Sequence, residues 1–319
     1  MRLLPRQYQQ NQRFLKIRHL ERSHRNYTGY MFGSSRIGTT WPAAVERHLP
    51  GERFYNMSVS SGTPLDAYLM LRHMVRSGYT VRHVYLQLDV DVLLTEHAFP
   101  QDDLFRRHHP RVTTAESLAS FYWDFATVFP MQNLVGKLRQ NSAPGINEYA
   151  LDLEGTGRWF WPERDRRIES DWMAYWNAEE SFRRPVTRGL RGTKLAQNLA
   201  TLRDIRDLCA RSGIRLTVFT NPDHQKSLDM YQIDALLEAL RGVSQVTGFW
   251  DFTGYNEITM NDRNYYEIAH YRPEVGGMIA SRIFKGNAAP APESFGRYVD
   301  GGNVEGHLAS LRASLERRP

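Results

Sequence analysis

Apolar positions along the chain recur with two spacings. Near-continuous apolar runs of strand character fall at 28–35 (TGYMFGSS), 53–60 (RFYNMSVS), 81–94 (VRHVYLQLDVDVLL), 214–222 (IRLTVFTNP) and 246–252 (VTGFWDF). Helical spacing takes over between them. In TPLDAYLMLRHMVRSG, Thr63 can cap, Pro64 suits the first helical position, and Leu65, Leu69 and Val75 recur until Gly78 stops the helix. Segments 194–213, 226–240 and 272–284 read as further helices. This alternation predicts a three-layer α/β fold, flavodoxin-like in the broad sense, with a mainly parallel sheet flanked by helices and a single domain over 1–319. Sites in such sheets form where the C-terminal ends of strands meet loops. Ser35, Ser60–Gly62, Asp89 and Asn221 all sit at or just past predicted strand ends.

Two stretches depart from the alternation. Residues 95–190 hold five of the seven tryptophans, and GRWFWPERDRR mixes aromatic with basic side chains. A helical insertion packing its own aromatic core is the plain expectation. A lid or substrate-binding subdomain is the sharper one, because aromatic faces stack on sugar rings and arginine grips anions. The tail 286–319 opens with NAAPAPESF and reads as a surface wrap or mobile end.

Composition changes this picture little. With 41% hydrophobic and 24% charged residues the chain has the make-up of a globular protein with a sizeable core. The net charge of +6 is spread along the chain with acids interleaved. No zinc-finger, RRM or KH signature accompanies it, so no nucleic-acid partner is expected. The single cysteine, Cys209, rules out an internal disulfide and a thiolate metal cluster, and its place in a helical pattern suggests packing. Eleven histidines include only one adjacent pair, His108–His109, without ligand spacing, so neither a metal nor another cofactor is expected. The N-terminal stretch has no apolar run of signal-peptide or transmembrane length.

The candidate chemistry lies in four short pieces. YMFGSSRIGTT runs from an apolar strand end into a small turn, with Ser35 as a candidate nucleophile and Arg36 beside it. NDRNYYEIAHYRPEVG places Glu267 three residues before His270, so the carboxylate can hold Nδ1–H and leave Nε2 to take a proton from a serine hydroxyl. A tetrahedral oxyanion needs donors aimed at it. NMSVSSGT offers backbone N–H groups, and Asn221 in TNPD offers a side-chain amide. Alone, each piece has a plain structural account such as turn chemistry. Lesser candidates are Arg36, which either neutralises an anionic substrate or, more simply, reaches solvent, and Asp89 and Asp91, which face the expected site and more simply fix the following loop. His224 is a rival base or, more mildly, a helix cap.

Taken together, these pieces resemble the SGNH (GDSL-like) hydrolase superfamily, whose hallmarks are a serine in an N-terminal G-D-S block, a glycine, an asparagine and a C-terminal D-x-x-H. Gly33-Ser34-Ser35 looks like the first block, YNMSVSSG the second, Asn221 the third and Glu267–His270 the last. FGSSR, YNMSVSSG, TNPDH and YYEIAHYRPEVG are closer still to a bacterial branch similar to the DltD and alginate O-acetylation proteins. Three departures stand out: Ser34 replaces the usual aspartate, Ser61 rather than Gly62 falls at the glycine position, and Glu267 replaces aspartate. The resemblance implies a serine esterase or O-acyltransferase acting on acyl esters, acetyl above all, of a bacterial polysaccharide or envelope polymer. It implies Ser35, His270 and Glu267 as the catalytic line, Ser61 or Gly62 with Asn221 as oxyanion donors, an extracytoplasmic setting and a membrane acyl-donor partner protein. The competing expectation is a non-catalytic carbohydrate- or partner-binding protein on the same scaffold. A weaker one is an envelope-assembly factor recruited through its basic surface.

Overall fold

Strands buried on both faces build this fold. The computed structural model describes residues 11–99, 103–114, 116–128 and 149–317. Six strands form the main sheet: β1 (Gly29–Phe32), β2 (Phe54–Asn56), β3 (His83–Leu88), β4 (Arg215–Thr220), β5 (Phe249–Asp251) and β6 (Arg297–Val299). Their order is β6-β5-β4-β3-β1-β2, parallel throughout except for β6, which runs antiparallel to β5. Tyr30, Phe32, Val84, Leu86, Leu88 and Val218 pack into one core, whereas Met31, Tyr85 and Phe219 pack into another. Successive side chains on a strand point to opposite faces, so a sheet buried on both sides reads as continuous apolar sequence. The expected α/β fold with a mainly parallel sheet between helices is the one observed.

Eight of the helices frame the sheet and the site: α1 (Gln12–Ser23), α2 (Ser35–Gly38), α3 (Pro64–Arg76), α4 (Val90–Thr95), α5 (Leu195–Arg211), α6 (Ile233–Val246), α7 (Pro273–Lys285) and α8 (Val304–Arg317). Helices α3, α5, α6 and α8 bury Met70, Leu202, Leu240 and Leu311 in the first core, and α7 buries Val275 and Ile279 in the second. Helix α3 starts as its sequence predicts. Thr63 and Asp66 form a reciprocal capping box, with Pro64 at the first position. Its buried face is Ala67, Met70, Leu71 and Met74, one step round from the Leu65, Leu69 and Val75 stripe, which is only partly buried.

Four expectations change. The run 81–94 is not one strand: β3 ends at Leu88, and Asp89 leads into α4, which buries Val90, Leu93 and Leu94. That i, i+3, i+4 spacing is helical, hidden in an unbroken apolar string. The segment 226–240 splits into a short helix, Gln225–Leu228, and the later α6. The tail from 286 is neither a wrap nor a loose end. It supplies β6 at the sheet edge and α8, whose Val304, Leu308, Leu311 and Leu315 are buried. Finally, the aromatic stretch does not keep a core to itself. Trp159 and Trp161 share theirs with Met31, Tyr85 and Phe219 of the sheet and with Val275 and Ile279 of α7. Part of that stretch, including 129–148, and the N-terminal residues 1–10 lie outside the described residues. Among the described residues no helix is long and apolar enough to cross a membrane.

Candidate active site

Backbone geometry at the end of β1 presents Ser35. Gly33 has φ of 151°, a region side chains rarely adopt, and a Cβ there would lie 2.9 Å from Ile37 Cγ2 and 3.0 Å from Gln87 Cβ. The chain turns at once into α2, where Ser34 Oγ caps by accepting from the Arg36 amide at 3.2 Å and Ser35 takes the first helical position. The neighbouring loop, after β2, is pressed against this turn. Val59 N–H donates to Gly33 O at 3.2 Å, and a Cβ on Gly62 would stand 2.3 Å from that same oxygen. Only glycine at 62 lets the two backbones meet.

His270 and Glu267 come from a small antiparallel hairpin, Tyr265–Glu267 and His270–Tyr271, in which these two residues are directly paired. The imidazole lies between two partners: Nε2 is 2.8 Å from Ser35 Oγ, and Nδ1 is hydrogen-bonded to Glu267 Oε1. The other carboxylate oxygen, Oε2, accepts from Ala269 N–H at 2.8 Å. Burial would raise the Glu267 pKa, but the His270 charge and hydrogen bond, the Ala269 amide and Arg164 outweigh it and hold it near about 2. Trp161 closes one side of the ring edge-on, 5.2 Å between centroids. A serine hydroxyl, an imidazole and a fixed carboxylate in line can pass a proton from oxygen to nitrogen while the carboxylate steadies the imidazolium.

The oxyanion candidates separate. Gly62 N–H is already given to Val59 O at 3.0 Å. Ser61, with φ of 48°, has an N–H that meets no acceptor among the described residues. Asn221 uses one of its two amide hydrogens inside the protein. Its Nδ2 donates to Asp223 Oδ1 at 2.5 Å, its Oδ1 accepts from Gln87 Nε2 at 2.6 Å, and it follows β4, which β3 separates from β1.

Arg36 does not simply reach solvent; carboxylates hold it inside the protein. Its Nη1 and Nη2 grip the two oxygens of Asp91 at 2.6 Å each, Nη1 lies 3.4 Å from Asp89, and Nε donates to Ala269 O at 3.2 Å. It is a strut between the serine turn and the histidine hairpin. Burial alone would lower the Arg36 pKa, and Asp91 and Asp89 raise it well above its usual value. Asp89 and Asp91 thus anchor Arg36 and the loop, the plainer of their two expected roles. Asp89 also accepts from Gln87 Nε2 at 3.0 Å. His224 caps the helix after it by accepting from Lys226 N–H, and bonds Asp262 through Nε2 at 2.8 Å, so it is no rival base. Cys209 is buried, with its thiol pKa pushed up to about 12 by that burial. His108 bonds Asp66 at 2.8 Å and His109 stacks on Phe14.

Sequence reasoning missed the brace behind the second loop. Gln12, Arg13 and Lys16 of α1 are fully buried, and all three hold loop backbone. Lys16 Nζ donates to Asn56 O at 2.8 Å and Ser58 O at 2.6 Å, Arg13 Nη1 donates to Ser60 O at 3.1 Å, and Gln12 Oε1 accepts from Ser60 N–H at 2.8 Å. Polar residues one and three apart on a helix give no hint that they face inward.

Asp223 carries a testable consequence. It accepts from Asn221 and, at 3.0 Å, from the Tyr231 hydroxyl, near Asp89, Asp91 and Arg36. Burial first, then the two neighbouring carboxylates, push its pKa up to about 6 from 3.8, against the pull of Arg36. A carboxylate whose folded pKa exceeds its unfolded one favours folding fully at low pH, and that contribution is lost as pH rises from about 4 through about 6. Asp223→Asn abolishes the loss. Thermal unfolding across this range should show the variant's melting temperature gaining on the wild type up to about pH 6 and then holding level. A difference that stays constant with pH would refute it.

In comparisons with known proteins, no family model and no curated protein matches the chain.

Proposed function

We propose that this chain is an SGNH-type serine esterase or O-acyltransferase that works through a covalent acyl-serine. The observation that carries the reading is the Ser35–His270–Glu267 line, with 2.8 Å from hydroxyl to imidazole. Ser35 Oγ attacks an ester carbonyl carbon while its proton passes to His270 Nε2. Glu267, ionised and fixed, steadies the imidazolium. The oxygen that becomes negative lies toward the N–H groups of Ser35 and Ser61. Collapse breaks the ester C–O bond, and the leaving alkoxide takes the proton back from Nε2. Water or a second hydroxyl then gives its proton to His270, attacks the acyl-Ser35 carbonyl, and frees the serine. Which of the two attacks, and so hydrolase or transferase, depends on how well the bound acceptor excludes water.

The family resemblance carried by FGSSR, YNMSVSSG and YYEIAHYRPEVG supports an acetyl or similar acyl group on a bacterial polysaccharide or envelope polymer, in an extracytoplasmic setting with a membrane partner supplying acyl groups. Trp41, which follows α2 and is half exposed, fits a carbohydrate acceptor. The test is intact mass after exposure to a fluorophosphonate. Wild type should gain one adduct and Ser35→Ala none. No adduct on folded wild type would reject the acyl-serine reading and favour a non-catalytic binding protein.

A further inference from the structure

The buried arginines of this chain are not alike. Arg13 pairs with Asp66 at 2.7 Å, Arg164 donates to the Tyr175 hydroxyl and Tyr266 O, and Arg282 donates to the carbonyls of Phe295, Gly286, Ala291 and Pro292. Arg158, only 5% exposed, has no such partner for its side chain. Its Nε is sealed from solvent without an acceptor, while its Nη groups are neither sealed nor hydrogen-bonded among the described residues. What it does have is aromatic: the guanidinium carbon lies 3.5 Å from the ring centroid of Trp41 and 5.4 Å from that of Phe160. Asp152, Asp165 and Glu274 act on it only through space. A buried charge without a counter-charge is costly, and stacking on indole offsets only part of that cost. Trp41, the other wall, is 49% exposed, an unusual state for tryptophan.

This pair adjoins the candidate site along both chain segments. Trp41 comes just after α2, with Thr39 and Thr40 hydrogen-bonded to Tyr271. Arg158 precedes Trp159, whose ring covers Gly38 at the end of α2, and Trp161, which touches His270. We propose that Arg158 and Trp41 form a subsite for an anionic sugar unit of the substrate polymer, its carboxylate or phosphate held by the free Nη groups and its ring against the open part of Trp41. Arginine's planar fork suits either oxyanion, and the apolar face of a pyranose suits indole. The substrate reading rests on the acyl-transfer function above; the anion site itself rests on Arg158.

Calorimetric titration of the full chain with tetragalacturonate, its methyl-esterified form and a phosphorylated tetramannose tests this. At least one anionic ligand should bind roughly tenfold or more tighter than the uncharged ester, since hydrogen bonds between charged groups are stronger than those to a neutral ester. Binding of the galacturonate alone assigns a carboxylate, and of the phosphorylated sugar alone a phosphate. Arg158→Gln should abolish the discrimination and Arg158→Lys restore part of it. Trp41→Ala, a surface change that leaves the core intact, should weaken every ligand. Equal binding of acid and ester, no binding of any ligand, or discrimination surviving in Arg158→Gln would each overturn the proposal. Fluorophosphonate labelling of Ser35 reports separately on the acyl-serine reading, so either conclusion can fail while the other stands.

Discussion

Replacing His270 by alanine lowers the rate of acyl-Ser35 formation roughly 10⁴-fold while leaving the protein folded. Serine at neutral pH is a weak nucleophile, and the only imidazole within reach of Ser35 Oγ among the described residues is that of His270 at 2.8 Å. The ring is partly exposed, with 22% of its side-chain surface accessible, so its removal opens no core cavity. Glu267→Gln costs less, because the glutamine can still bond Nδ1 but no longer offsets the imidazolium charge. The wild-type pH profile depends on the same geometry. The Glu267 pKa lies near about 2, so that carboxylate stays ionised wherever the rate is measurable. Loss of the Glu267 charge should therefore contribute nothing to the pH profile over that range. Time courses of fluorophosphonate labelling for wild type and both variants, read by intact mass across pH, check all three effects. A His270→Ala rate within tenfold of wild type would remove the imidazole from the mechanism.

Gly62→Ala reduces the same rate by roughly 10²–10³-fold, the effect of losing one oxyanion donor. The alanine methyl has no room: it would sit 2.3 Å from Gly33 O, and both atoms belong to the backbone. The loop must retreat, breaking the Val59–Gly33 hydrogen bond and carrying the Ser61 N–H away from the carbonyl that Ser35 attacks. The loss should fall on kcat rather than KM in turnover of a small activated ester, because the donor acts on charge that develops only in the transition state. On the proposed mechanism glycine here is a spacer, and the donor is its neighbour Ser61. Wild-type labelling by Gly62→Ala would move the oxyanion site elsewhere.

Legibility in the sequence depends on whether a signal is local. The GSS turn after an apolar run, the Thr63–Asp66 cap and the Glu267-x-x-His270 spacing are complete within a few residues, and the structure brings Ser35, His270 and Glu267 together. The surroundings of Asn221 escape the sequence because they depend on strand order and on Asp223 as an acceptor for its amide. Arg36 misleads because its partners, Asp89 and Asp91, lie at the end of a different strand. The tail shows the opposite error. Val304, Leu308, Leu311 and Leu315 carry a plain helical spacing, but the proline-rich opening at 289–292 draws attention from it. The burial of Gln12, Arg13 and Lys16 leaves no trace at all, since buried and solvated polar residues look identical as letters.

The hydrogen bond between Ser35 and His270 joins positions 235 residues apart. During synthesis the serine leaves the ribosome long before its base exists, and at about 5–20 residues per second that interval lasts some tens of seconds. Throughout it Ser35 is an ordinary alcohol. On the proposed mechanism reactivity arrives only when the hairpin at 265–271 docks against Arg36, so an unfinished chain would carry no activated serine to act on the wrong neighbour.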